Sequence, residues 1–164
     1  MNKQVFRLIF LLAIAAGTGY FIYNRYRVAP EIVFSEIKAK ALDGNKIDFI
    51  ADGQSNTIVL FFATWCIDCR RELPVLQSHS ALLNKLNTKV YLISDEDINT
   101  LTPFSTQIEA PFQLLKLEGS FKESGIYTLP TAFLYCKDGS IHLNKTGAID
   151  WTESYLRAFD QACK

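Results

Sequence analysis

The chain has 164 residues, room for one domain and a short appendage but not for two full domains. It is 49% hydrophobic and 13% aromatic with only 21% charged residues, which excludes global disorder; its 17 basic residues balance 17 acidic ones, which removes the electrostatic reason to expect a nucleic-acid partner. Four cysteines are too few for a disulfide-stapled mini-protein, and they divide into a close pair, Cys66 and Cys69, and two isolated residues, Cys136 and Cys163.

At the N-terminus, Lys3 and Arg7 precede an uncharged run of 16 residues, Leu8 to Tyr23. A spanning helix needs about 20, and Val5, Phe6 and a snorkelling Arg7 extend the run to about 19. Ala13-Ile14-Ala15 and Ala16-Gly17 offer small residues of the kind found at signal cleavage sites. The aromatics Tyr20, Phe21, Tyr23 and Tyr26 continue past them and, with Arg25 and Arg27, resemble a membrane–water interface. The expectation is a segment 1–27 that stays as a single-pass anchor, in the membrane through residues 5–23, with a removed signal as the alternative. A folded domain is expected over 28–164. Basic residues are matched on the two sides of the run, so charge alone does not orient it.

Beyond Pro30 the pattern changes to short apolar runs divided by turns. Ile37 to Ala41, the turn Asp43-Gly44 and Lys46 to Ile50 predict a β-hairpin. Thr57 to Phe62 is almost continuously apolar, as in a strand buried on both faces. Asp68 to Leu86 has helical spacing through Leu73, Leu76, Leu82, Leu83 and Leu86, and Pro74 should kink it. Val90 to Ile93 predicts a strand, Asp95 to Gln107 a short helix, and Leu114 to Leu117 is ambiguous. Glu118 to Ser124 predicts a helical turn closed by Gly125, Thr131 to Cys136 a strand, and the turn Lys137 to Ser140 leads into another at Ile141 to Asn144. Asp150 and Glu153 form a capping-box pattern for a last helix ending near Ala162. The order predicts an α/β fold, a central mixed β-sheet flanked by helices.

Cys66-Ile67-Asp68-Cys69 falls where the first strand runs into the first helix. Residues i and i+3 adjoin there, so the two sulfurs can bond without large backbone movement. The helix N-terminus carries unpaired N–H groups and partial positive charge, which favour thiolate at the first cysteine, the attacking species in disulfide exchange. Cys66 is therefore assigned as nucleophile and Cys69 as the resolving thiol. Trp65 is expected as an exposed platform beside the sulfurs. Asp68, next to Cys69, opposes thiolate formation and argues against a strongly oxidising pair.

The segment Phe61-Phe62-Ala63-Thr64-Trp65-Cys66-Ile67-Asp68-Cys69-Arg70-Arg71-Glu72-Leu73-Pro74 resembles the active-site segment of the thioredoxin superfamily and, more narrowly, of its membrane-anchored TlpA/ResA-like disulfide reductases. Thr128-Leu129-Pro130-Thr131 resembles that family's cis-proline segment, and the hairpin at 37–50 fits the same subgroup. The resemblance covers residues 33–162. It implies a thioredoxin-like fold, a cis Pro130 beside the cysteines, and a Leu129 backbone exposed to pair with a substrate segment. The buried Asp of thioredoxins proper is replaced by Leu60, whereas Glu72 matches the glutamate that ResA-like proteins carry three residues after the second cysteine. Glu72 is thus implied as a proton relay for Cys69, with a solvated surface glutamate as its alternative.

The implied activity is thiol–disulfide exchange, reducing protein disulfides on the periplasmic or outer side of a cytoplasmic membrane, with clients such as those of cytochrome c maturation. Protein thiols and disulfides are the substrates, an upstream membrane thiol carrier supplies electrons, and no cofactor or metal is implied. The alternative is a copper-handling protein that uses Cys66 and Cys69 as soft ligands; His79 and His142 lack ligand spacing to the pair. A peroxidatic site would need one activated cysteine with supporting Thr and Arg, a context not found here. Cys136 and Cys163 are read as two separate thiols, with a disulfide as the alternative in an oxidising compartment.

Overall fold

The computed structural model describes residues 3–27, 37–47 and 53–164. Helix α1 (Lys3–Arg27) contains a stretch, Lys3–Phe21, that is long and apolar enough to cross a membrane. The remaining elements are β1 (Ala39–Ala41), β2 (Asn56–Phe61), α2 (Ile67–Ser78), α3 (Ser80–Lys85), β3 (Thr88–Ser94), α4 (Ile98–Ser105), β4 (Phe112–Leu117), β5 (Thr131–Tyr135), β6 (Ile141–Thr146) and α5 (Glu153–Ala162). The strands form one six-stranded sheet in the order β1-β4-β3-β2-β5-β6. β2, β3 and β4 run parallel, whereas β1, β5 and β6 pair antiparallel to their neighbours. This is the mixed sheet expected of a thioredoxin-like fold.

Sequence and burial agree best at the centre. Every residue of β2 is buried, and Ile58, Val59, Leu60 and Phe61 have no exposed surface. Phe61 meets Phe133 of β5 edge-on, with ring centroids 6.0 Å apart. At the rim, β6 leaves Ile141 and His142 exposed, as an edge strand allows. The turn between β5 and β6 uses Gly139 at φ +84°, where any side chain would be strained, while Asp138 accepts from the Ser140 N–H at 2.9 Å.

One ambiguity is resolved and three expectations need correction. Leu114 to Leu117 belongs to the longer strand β4, whose buried residues Phe112, Leu114, Leu115 and Leu117 interleave irregularly with Gln113 and Lys116. That pattern concealed a strand covered on both faces. The helix over 68–86 is divided at His79: α2, with Pro74 inside it, ends at Ser78, and the chain restarts as α3 at Ser80. The last helix is capped by Thr152, whose Oγ1 accepts from the Tyr155 N–H at 3.2 Å, not by Asp150. Finally, Cys136 and Cys163 are not separate thiols. They are bonded, both buried, with Cα atoms 5.0 Å apart, and they pin the end of α5 to the end of β5.

The N-terminal hairpin is present in part. β1 turns through Asp43-Gly44, with Gly44 N–H donating to the Ala41 carbonyl at 2.9 Å, and Lys40 pairs with Lys46. Residues 48–50 of its return lie outside the described residues, as does the expected domain start at 28. β1 also has a role not read from sequence: it adds to the sheet edge beside β4, Ala39 opposite Leu117.

Candidate active site

Two registers converge on one end of the sheet. β2 ends at Phe61 and leads through Ala63-Thr64-Trp65 into α2. β5 runs antiparallel to β2 with Thr131 opposite Phe61, which sets Pro130 beside the start of the cysteine loop. The Leu129–Pro130 bond is cis. The Pro130 carbonyl accepts from the Gly147 N–H at 2.8 Å, while the Leu129 N–H and carbonyl have no hydrogen-bond partner among the described residues. A second cis bond, Ala110–Pro111, lies at the start of β4 and had no sequence signal that distinguished it.

Cys66 is the N-cap of α2, and its Sγ accepts from the Cys69 N–H at 3.2 Å. The two cysteines are disulfide-bonded, with Cα atoms 5.2 Å apart. Cys69 is fully enclosed and Cys66 keeps 6% of its surface, so the exposure difference is small but has the expected sense. Cys66 lines an open groove of about 630 Å³ together with Trp65, Ile67, Phe121, Tyr127 and Leu129. Trp65 and Tyr127 are 69% and 75% exposed, apolar rings presented to solvent beside a reactive sulfur. Asp68 is exposed and lies 3.5 Å from Arg71, so solvent and a neighbouring cation both weaken its effect on the sulfurs.

Glu72 is no surface glutamate. It is 4% exposed, on the same face of α2 as Cys69 and one turn further along. Its Oε1 accepts a hydrogen bond from Trp151 Nε1 and another, at 3.3 Å, from the Ile149 N–H. Its Oε2 has no partner among the described residues. Burial outweighs these bonds and the nearby Lys145, and raises the carboxyl from 4.5 to about 7. At neutral pH the carboxyl is therefore divided between its protonated and ionised forms.

Sequence reasoning missed the support for this carboxylate. Trp151 is almost wholly buried, and a buried indole N–H needs an acceptor. The Asp150–Glu153 pattern drew attention to helix capping instead. It also missed Glu96, whose carboxylate receives the Thr64 N–H at 2.7 Å and the Thr64 hydroxyl at 2.6 Å, bracing the loop two residues before Cys66. As for other candidate ligands, His79 sits at the junction of α2 and α3, and the His142 ring packs on Phe159 at 5.5 Å.

A model of the AhpC/TSA family matches residues 31–143, more than half of the chain. The chain belongs to the AhpC/TSA family. Among its relatives, the thiol-disulfide oxidoreductase ResA of Bacillus cereus is 26% identical over 153 residues, covering 85% of this chain and 86% of that protein. The sporulation thiol-disulfide oxidoreductase A of Bacillus subtilis is 31% identical over 126 residues, covering 70% and 76%. A crystal structure of a thioredoxin-family thiol:disulfide interchange protein from Chlorobium tepidum superposes with a TM-score of 0.59 at 18% identity, over 84% of this chain and 97% of that one, which supports the fold. This AhpC/TSA member is a thiol–disulfide oxidoreductase of the ResA type.

Proposed function

We propose that this oxidoreductase is a membrane-tethered reductant of protein disulfides, with α1 as its anchor and the domain over 28–164 on the extracytoplasmic side. The observation that carries the reading is the Cys66–Cys69 pair at the head of α2, opening on a groove walled by exposed Trp65 and Tyr127. The helix N-terminus favours thiolate at Cys66. That thiolate attacks one sulfur of a client disulfide, forming a mixed disulfide and expelling the other client sulfur, which takes a proton. Cys69 then attacks Cys66 Sγ, releasing the second client thiol and leaving the Cys66–Cys69 disulfide. Two electrons pass to the client in the process.

Cys69 must lose its proton to act, inside a fully enclosed site, and Glu72 Oε2 is proposed to receive it. Leu129 is proposed to pair its free backbone groups with the client segment as a short added strand, with Pro130 contributing no N–H of its own beside it. Trp65 is proposed to cover the apolar part of that segment. Each turnover leaves the enzyme oxidised, so a membrane thiol carrier must return electrons to it. Clients are proposed to be cysteine pairs that must be reduced before haem or metal attachment, as in cytochrome c maturation. The extracytoplasmic placement draws support from Cys136–Cys163, a second disulfide away from the active pair, since such bonds persist in oxidising compartments.

The reduction potential of the Cys66–Cys69 couple tests the direction. A value near thioredoxin's, about −270 mV, supports a reductant, and one near about −120 mV contradicts it.

A further inference from the structure

We infer that Asp95 is a positioning residue that sets the wall of the active-site groove facing Cys66, and thereby its preference for protein disulfides over small ones. The inference rests on the reading of protein disulfides as the substrates. Asp95 follows the last residue of β3, at the same end of the sheet as the cysteine loop. Its Oδ2 accepts from the Phe121 N–H at 3.0 Å, and its backbone carbonyl accepts from Lys116 Nζ at 2.6 Å. One residue is thereby tied both to β4 and to the loop that leaves it.

That loop supplies Phe121, Lys122, Ile126 and Tyr127 to the groove, opposite Trp65 and Cys66. It folds largely on itself: Ile126 N–H donates to the Phe121 carbonyl at 2.8 Å, and the Ser120 N–H to Glu123 at 2.7 Å. Between residues 119 and 127, the Asp95 carboxylate is the one hydrogen-bonding group from outside the loop among the described residues. The Phe121 ring is buried against Phe61 at 6.3 Å, so the bond fixes the backbone at the point where the loop enters the core. The neighbouring residue does the same for the other wall, since Glu96 holds Thr64 ahead of Cys66. Two consecutive side chains at the end of β3 thus fix the two walls of the groove. An extended client segment has to touch both walls, whereas a small disulfide needs only access to Cys66 Sγ.

The test uses the full chain in detergent, reduced beforehand and mixed in single turnover with insulin or with oxidised glutathione. The readout is the ratio of the two second-order rate constants, with thermal unfolding recorded alongside. Asp95→Ala is expected to lower the insulin-to-glutathione ratio about tenfold or more, as a displaced positioning contact does. Asp95→Asn keeps an oxygen acceptor for the Phe121 N–H and is expected to restore the ratio. A ratio unchanged in Asp95→Ala, or equal slowing with both substrates, overturns the inference while leaving the proposed function standing. An Asn variant that behaves like Ala overturns it too, because charge rather than the tie would then be responsible. Wild-type chain that reduces insulin no faster than Cys66→Ser overturns both the inference and the reading beneath it.

Discussion

Replacing Glu72 by Gln removes a buried carboxyl while preserving its shape and an acceptor for Trp151 Nε1. In the unfolded chain this carboxyl ionises near 4.5, and in the folded protein near 7. Below pH 4.5 both states hold the proton and the residue does not affect the folding equilibrium. Between 4.5 and 7 the unfolded chain releases a proton that the folded protein keeps, so stability falls as pH rises. Above about 7 the deficit is constant at about 3 kcal/mol, from about 1.4 kcal/mol per pH unit. The Gln side chain has no such slope. Its amide needs a partner where Oε2 has none, which adds a cost independent of pH over this range. Urea unfolding of the oxidised full chain in detergent, from about pH 4 to 8.5, gives the difference between variant and wild type. That difference should shift by about 3 kcal/mol in favour of Gln across the interval, with other titrating groups cancelling. A flat difference would refute both the buried, unpartnered carboxyl and its proposed part in proton transfer.

Trp151→Phe removes the indole donor that stabilises the carboxylate, so the midpoint of the same pH-dependent curve should move upward; a midpoint that stays or falls contradicts the assigned bond. Replacing Cys136 and Cys163 together by Ala opens a crosslink spanning 27 residues and should lower unfolding free energy by about 3.5 kcal/mol, read by urea titration. The oxidised wild-type chain, once denatured, should bind no maleimide, and two labelled cysteines in place of none would exclude the second disulfide. Trp65→Ala should change stability by no more than about 0.5 kcal/mol because the ring is largely exposed, yet slow insulin reduction roughly tenfold if it anchors the client.

The sequence made the centre of the molecule and its chemistry legible for different reasons. β2 was readable because its fully buried positions Ile58 to Phe61 are a continuous apolar run, entered through the buried polar Asn56 and Thr57. Cys66 and Cys69 were readable because a strand running into a helix places the first sulfur at the helix N-terminus regardless of the rest of the chain. β4 was not, since Gln113 and Lys116 break both the alternating and the continuous pattern, and its identity as a strand comes from pairing with β3 and β1. Glu72 was located but its environment was not. Its burial depends on Ile149 and Trp151, 77 and 79 residues away, and no local spacing encodes that contact. The Cys136–Cys163 bond escaped for the same reason: it joins a strand end to a helix end through the tertiary fold alone.

Trapping with a Cys69→Ser variant addresses the central chemistry most directly. Reduced variant mixed with insulin should accumulate a mixed disulfide, and peptide mass mapping should locate it on Cys66, because the thiol that would release the client is gone. If no adduct accumulates, or if the reciprocal Cys66→Ser variant captures insulin through Cys69 instead, then Cys66 is not the attacking sulfur and the division of labour between the two cysteines is wrong.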